Sequence, residues 1–142
     1  METSQKLTEL LGKHGYSMTL PRLRIFEALV NLHEPATVQQ LIYSLPALDK
    51  VTVYRTIRLF EKIGIVHRVW NGMKSSVELS ERFSAHHHHF SCLQCGTSIA
   101  IKSDRLEKAL HDIEAEYGFD LRQHTVELNG YCSSCKTVLQ PE

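Results

Sequence analysis

No apolar run in this 142-residue sequence approaches the ~20 residues that a membrane-crossing helix needs. The opening stretch, Met1-Glu2-Thr3-Ser4-Gln5-Lys6, lacks a basic segment followed by an apolar one, so no secretory signal is expected there. Both absences point to the cytoplasm, where paired cysteines bind metal more often than they form disulfides. Low-complexity tracts and internal repeats are missing too. So are a His-Glu-x-x-His helix and a nucleophile motif, which argues against a hydrolase. What remains is ordinary globular material: 42% hydrophobic and 23% charged residues, enough for one domain or two small ones.

The formal net charge is zero, but it is unevenly spread. Residues 1–82 hold eleven Lys/Arg against eight Asp/Glu, and residues 83–142 hold five against eight. A basic first half fits a polyanionic partner, although an excess this small also arises by chance.

Cysteine is scarce and paired. Cys92-Leu-Gln-Cys95 and Cys132-Ser-Ser-Cys135 use all four cysteines of the chain. Two matched knuckles with no cysteine left over suit one tetrahedral zinc. The 36 residues between them exceed the 15–20 of a minimal ribbon, so intervening elements must bring the knuckles together. Directly ahead of the first knuckle stand His86, His87, His88 and His89. If residues 86–92 form a strand, His86 and His88 face one way and His87 and His89 the other. One tetrad can then serve two metal sites.

The first half reads as helices followed by a hairpin. A helix is expected over Thr3–His14, with Leu7, Leu10 and Leu11 on one face and Gly15 as its stop. A second starts at Thr19-Leu20-Pro21 and carries Leu23, Phe26, Leu29 and Val30 as its apolar stripe. Thr37-Val-Gln-Gln40 forms a capping-box pattern that opens a third helix, to about Ser44. The fourth spans about Lys50–Ile63 and is closed by Gly64. Val53, Ile57 and Phe60 share its inner face, with Arg55, Arg58 and Lys62 opposite and Thr52 and Tyr54 flanking. A helix, a turn and a helix with a basic outer face match a helix-turn-helix. Such a face serves either a polyanion or plain solvation. The runs Ile65–Trp70 and Ser76–Leu79, joined by a turn at Asn71-Gly72, predict a hairpin in the place of a wing, from which Arg68 and Lys74 could reach phosphates. Beyond the histidines, strands are expected at Thr97–Ile101 and Val126–Leu128. A helix is expected over Asp104–Tyr117, with Leu106, Leu110 and Ile113 inward and Gly118 as its end.

Leu20-Pro21-Arg22, Thr52-Val53-Tyr54-Arg55, the stretch from Phe60 to Val66 and the run from His86 to Gly96 together resemble the ferric uptake regulator (Fur) family, over about residues 8–135. The resemblance implies an α+β chain: an N-terminal winged helix-turn-helix domain, residues 1–82, then a small α/β dimerisation domain, residues 83–142, with a four-cysteine zinc site. It implies a homodimeric, metal-responsive repressor of metal uptake or homeostasis genes, acting on a double-stranded DNA operator. No membrane partner and no small-molecule substrate are implied. Cys92, Cys95, Cys132 and Cys135 match the family's structural zinc site. His86, His88, Glu107 and His124 match a site in the dimerisation domain, and Glu78, His87 and His89 the sensory site between domains. Tyr54 and Arg55 match DNA contacts, with Arg22, Thr52 and Arg58 as further candidates.

Two positions depart from the pattern. Ala100 stands where the family often has an acidic ligand, and Pro35 takes the slot of an N-terminal histidine ligand, leaving His33 or Glu81 as substitutes. Nitrogen and oxygen ligands suit iron(II), zinc or manganese(II) in the regulatory site. The other readings are a peroxide sensor of the same family and a zinc hydrolase built on His87, His89 and Glu78.

Overall fold

The computed structural model describes residues 2–71 and 74–139. The chain divides into two compact units, residues 1–85 and 86–142. Its architecture is α+β, and none of its described helices is long and apolar enough to cross a membrane.

The first unit is a winged helix. Helix α1 (Glu2–Lys13) buries Leu7 and Leu11 completely. Helix α2 (Leu20–Val30) starts where Thr19 accepts a hydrogen bond from the Arg22 amide, with Pro21 in its first turn. Its stripe runs through Ile25, Phe26 and Leu29, whereas Val30, predicted inward, is exposed. Ile25 and Leu29 are four apart and stack on one face beside Phe26; Val30 is a further 100° round. Helix α3 (Val38–Ser44) carries the predicted capping box, complete in both directions: Gln40 N to Thr37 Oγ1 at 3.1 Å and Thr37 N to Gln40 Oε1 at 2.7 Å.

Helix α4 (Lys50–Lys62) buries Val53, Thr56, Ile57 and Phe60. Asp49 caps it, accepting from the Thr52 amide at 2.9 Å, a cap that the sequence reading missed. Gly64 ends it with φ 74°, a left-handed turn that residues with a Cβ resist. The wing follows as β1 (Val66–Asn71) and β2 (Lys74–Leu79), antiparallel, with His67 opposite Glu78 and Asn71 opposite Lys74. Asn71 therefore belongs to the strand and not to the predicted turn; Gly72 and Met73 lie outside the described residues. Ala36 bridges to Val77 and ties the α2–α3 loop to β2. Each large side chain buried in this core contributes roughly 1.5–3 kcal/mol of transfer free energy.

The second unit is a three-stranded sheet in the order β4-β3-β5, with β3 (His88–Cys92) central. Strand β4 (Ser98–Ile101) pairs with it antiparallel and β5 (Glu127–Gly130) parallel. The strand begins at His88 and not at His86, because its neighbour β4 ends at Ile101, the residue opposite His88. Helix α5 (Asp104–Tyr117) is capped by Ser103 and closed by Gly118 at φ 67°. Leu106 and Leu110 are half-buried, and Ile113, predicted inward, is 53% exposed. A short helix, α6 (Ser133–Leu139), which the sequence reading missed, follows Cys132. Among the described residues of this unit, Cys92 alone joins the buried apolar set, while His88, His89 and Ser91 are buried polar residues. A unit this small with so little apolar core needs another source of stability.

Candidate metal centres and nucleic-acid interface

The four cysteines converge. Cys92 ends β3 and is buried; its amide donates to the Thr97 carbonyl at 2.8 Å. The Leu93 amide donates to Gly130 at 2.8 Å, which draws the first knuckle onto the end of β5, next to the second. Cys95 Sγ and Cys132 Sγ are 3.8 Å apart, and all four sulfurs lie within 4.8 Å of one another. Thiolates bound at about 2.3 Å to a tetrahedral zinc stand roughly 3.8 Å apart. The electrostatics are those of a cation cradle. The Cys132 amide donates to Cys92 Sγ at 3.3 Å, and with the Cys95 amide it lowers the Cys92 thiol to about 6. Cys135 goes the other way, pushed up to about 12 chiefly by its hydrogen bond with Cys132. A divalent cation at the centre would balance the charge of the four thiolates.

A second convergence surrounds Glu107, in the first turn of α5. His88 Nε2 lies 2.7 Å from Glu107 Oε1, His86 Nε2 3.1 Å from the same oxygen, and His124 Nε2 3.3 Å from Oε2. The rings also face one another: His86 Nε2 is 3.3 Å from His88 Nε2 and 3.1 Å from His124 Nε2. Donors bound at about 2.0–2.1 Å to one ion stand roughly 2.9–3.4 Å apart, so these four atoms fit an ion with little adjustment. The His88 hydrogen bond, followed by that of His86, holds the Glu107 carboxyl below its usual range. Three imidazoles and one carboxylate suit zinc, iron(II) or manganese(II) alike.

The histidines divide by parity, as an extended backbone requires. The His86 and His88 rings stack edge to face at 4.7 Å between centroids, and the His87 and His89 rings do so at 4.8 Å. His89 is buried and lies opposite Ala100 on β4, whose methyl offers no donor. Glu78, the third residue of the predicted sensory set, lies on β2 of the first unit, where its Oε1 stands 2.8 Å from His67 Nε2, an ion-pair distance. His67, which the sequence did not single out, stands opposite Glu78 in the observed register, in which Asn71 pairs with Lys74. His33 is exposed in the loop whose end, Ala36, is bridged to β2; Pro35 is half-buried and carries no donor; Glu81 is exposed just past β2.

The outer face of α4 presents exposed Arg55, Arg58 and Lys62, and Tyr54 is 47% exposed beside them. Thr52 donates its hydroxyl to Asp49, within the cap. Arg22 is held locally, donating to the Ser17 carbonyl and lying over the Tyr16 ring at 5.6 Å. Arg68 is held by Glu61 at 2.5 Å and Ser75 at 2.7 Å, so it braces α4 against the wing, whereas Lys74 is exposed.

Comparison with known proteins agrees with this geometry. Residues 13–129 match the model of the ferric uptake regulator family. The ferric uptake regulation protein of Escherichia coli K12 is 37% identical over 129 residues, covering 87% of this chain and 86% of that one. Among solved structures, the Vibrio cholerae ferric uptake regulator superposes with a TM-score of 0.73 at 33% identity, covering 88% of this chain and 98% of that one. A zinc-bound manganese uptake regulator gives 0.66 at 32% identity, over 89% and 98%. These likenesses are to regulators of metal uptake and not to enzymes, and the chain belongs to the ferric uptake regulator family.

Proposed function

We propose that this chain is a metal-activated DNA-binding repressor that works as a homodimer. The observation that carries the reading is the pairing, in one chain, of a ligand cluster around Glu107 with a capped helix whose outer face is basic. Cys92, Cys95, Cys132 and Cys135 hold a structural zinc. His86, His88, Glu107 and His124 hold a second ion that braces α5 against β3. His87 and His89, with Glu78 from the wing, form the regulatory site, and His33 and Glu81 are the nearest substitutes for further ligands. That site takes iron(II) or zinc, with manganese(II) as the remaining candidate, because its donors are nitrogen and oxygen.

A row across the second sheet supports self-association. Ile99, Phe90 and Leu128 are in register on neighbouring strands and are 59%, 36% and 41% exposed, with Ile113 exposed on α5. An apolar row of this kind suits a second copy of the chain. Tyr54, Arg55 and Arg58 then read or grip duplex DNA. Arg22 and Thr52, already hydrogen-bonded within the domain, add phosphate contacts at most. A bound ion links the wing to the sheet and favours one placement of the two winged helices, which lowers the ordering cost on DNA.

The experiment is a DNA-binding titration. Duplexes are selected from a random pool with the metal-supplemented protein. The chelated protein is then titrated onto them with iron(II), manganese(II), zinc(II) and nickel(II) added separately. One or more of the first three should raise affinity by at least about tenfold, a coupling of roughly 1.4 kcal/mol. Equal affinity with and without every metal overturns the reading.

A further inference from the structure

We infer that Glu114 is a positioning residue for the metal site around Glu107: its carboxylate sets the loop that carries His124. This rests on the site around Glu107 proposed above, and it adds a residue that acts through the backbone.

His88 stands on β3, with His86 two residues ahead of it, and Glu107 stands on α5. His124 lies instead in residues 119–126, which link α5 to β5 without helix or strand. Its Nε2 nevertheless arrives 3.1 Å from His86 Nε2 and 3.3 Å from Glu107 Oε2. Holding a free linker in one arrangement costs conformational entropy, and that cost comes off the affinity for an ion.

Two amides of the linker are tied back to α5, and both end on Glu114. The Phe119 amide donates to its carbonyl at 3.1 Å, and the Leu121 amide to its carboxylate Oε1 at 2.6 Å. The other carboxylate oxygen lies 3.0 Å from His111 Nδ1, one turn back on the helix. The Glu114 side chain is 22% exposed and Leu121 is half-buried, whereas Phe119, Asp120, Arg122 and Gln123 are exposed. The His111 contact first and the Leu121 amide second hold the Glu114 carboxyl below its usual range, so it accepts as an anion.

The spacing fits the same role. Glu107 and Glu114 are seven apart on α5, about 20° short of two full turns, so they share one face about 10.5 Å apart along the axis. Leu121 and His124 are three apart, and three extended residues span about 10 Å. With Leu121 held at Glu114, the chain running back along that face delivers the His124 ring to Glu107.

The test uses the full-length, zinc-containing protein titrated with cobalt(II) and read by visible absorption. The bands that His86→Ala with His88→Ala removes report this site. Glu114→Ala should weaken cobalt binding there by roughly tenfold, the lower end of what a residue behind a ligand costs, and shift the bands toward those of His124→Ala. Glu114→Gln keeps an oxygen for the Leu121 amide and should restore most of the affinity. A double variant decides between positioning of His124 and general support of α5: in a His124→Ala background, Glu114→Ala should cost nothing further. An equal loss with and without His124 overturns the inference, as does a Glu114→Ala protein with unchanged affinity and bands. Should Glu114→Ala fail to fold, Glu114→Met, of similar length but without an acceptor oxygen, takes its place in the same cycle. Were His124→Ala and the His86→Ala/His88→Ala pair without effect on cobalt binding, the site around Glu107 itself would fall and the inference with it, an outcome distinct from the failure of Glu114 alone.

Discussion

His88 and Glu107, nineteen positions apart in the chain, meet at 2.7 Å between Nε2 and Oε1, with the histidine side chain only 3% exposed. A helix of modest apolar character is thereby fixed to a sheet through polar chemistry. The pair works where leucines would in a larger domain.

That relationship carries a pH sign. The His88 hydrogen bond, then that of His86 and the nearby charge of His86 and His124, lower the Glu107 carboxyl. A lowered carboxylate stabilises the fold above its unfolded-state value, near 4.3, and the contribution is lost as pH falls through the folded-state value. In the chelated protein, Glu107→Gln should lower the melting temperature at pH 7. The gap between variant and wild type should narrow below about pH 4.3. A gap that is constant from pH 7 to pH 3 shows that Glu107 is not ionised against the histidines.

Cys95→Ser tests the zinc core. With Cys92 as the sole described member of the buried apolar set in residues 86–142, this unit depends on its metal. Structural zinc in small peptides contributes apparent binding energies of about 10–16 kcal/mol at neutral pH. The variant should lose about one zinc per chain by metal analysis. Hydrogen exchange should quicken across β3, β4 and β5 while α2 and α4 stay protected. A zinc-free Cys95→Ser protein with a protected sheet contradicts this.

Much of this was legible in the sequence wherever local rules decide. The capping box at Thr37, the glycine ends at Gly64 and Gly118, and the inner face of α4 all follow from spacing and backbone preference. The parity of the four histidines was legible as well, although the hydrogen-bonded strand starts only at His88. What failed depends on partners remote in sequence. Ile113 fits a helical stripe yet finds nothing to bury it within one chain. Arg68 looked free for phosphate, but Glu61 occupies its guanidinium. His67 faces Glu78 only in the observed register, which a turn at Asn71-Gly72 would have shifted.

Arg55 and Arg68 make a contrast that tests the DNA interface. Arg55 is exposed on the outer face of α4, while Arg68 is engaged by Glu61 and Ser75. Arg55→Ala should weaken DNA binding by roughly 1–3 kcal/mol if it reads a base. If it grips phosphate, binding should fall on all sequences alike and the salt slope should drop by about one. Arg68→Ala should leave the salt slope unchanged and lower thermal stability instead. The reverse pattern, with Arg68 setting the slope, would show that the wing and not α4 grips the backbone.

The two histidine pairs should have separable consequences. His87 and His89 share one face of the extended run, and His86 and His88 share the other, the latter pair gathered with His124 on Glu107. Neighbouring residues of an extended chain point apart and cannot converge on one ion without distortion. His87→Ala with His89→Ala should therefore abolish the metal-dependent gain in DNA affinity while the structural zinc and the dimer persist. His86→Ala with His88→Ala should lower the melting temperature of the metal-loaded protein and leave a reduced but measurable metal response. The readouts are DNA titration, metal analysis and sedimentation on the same samples. If the second pair proved the stronger switch, the parity would stand and the roles would exchange, with the site around Glu107 as the sensor. If mixed pairs such as His86 with His87 behaved as one ligand unit, the alternation argument itself would fail.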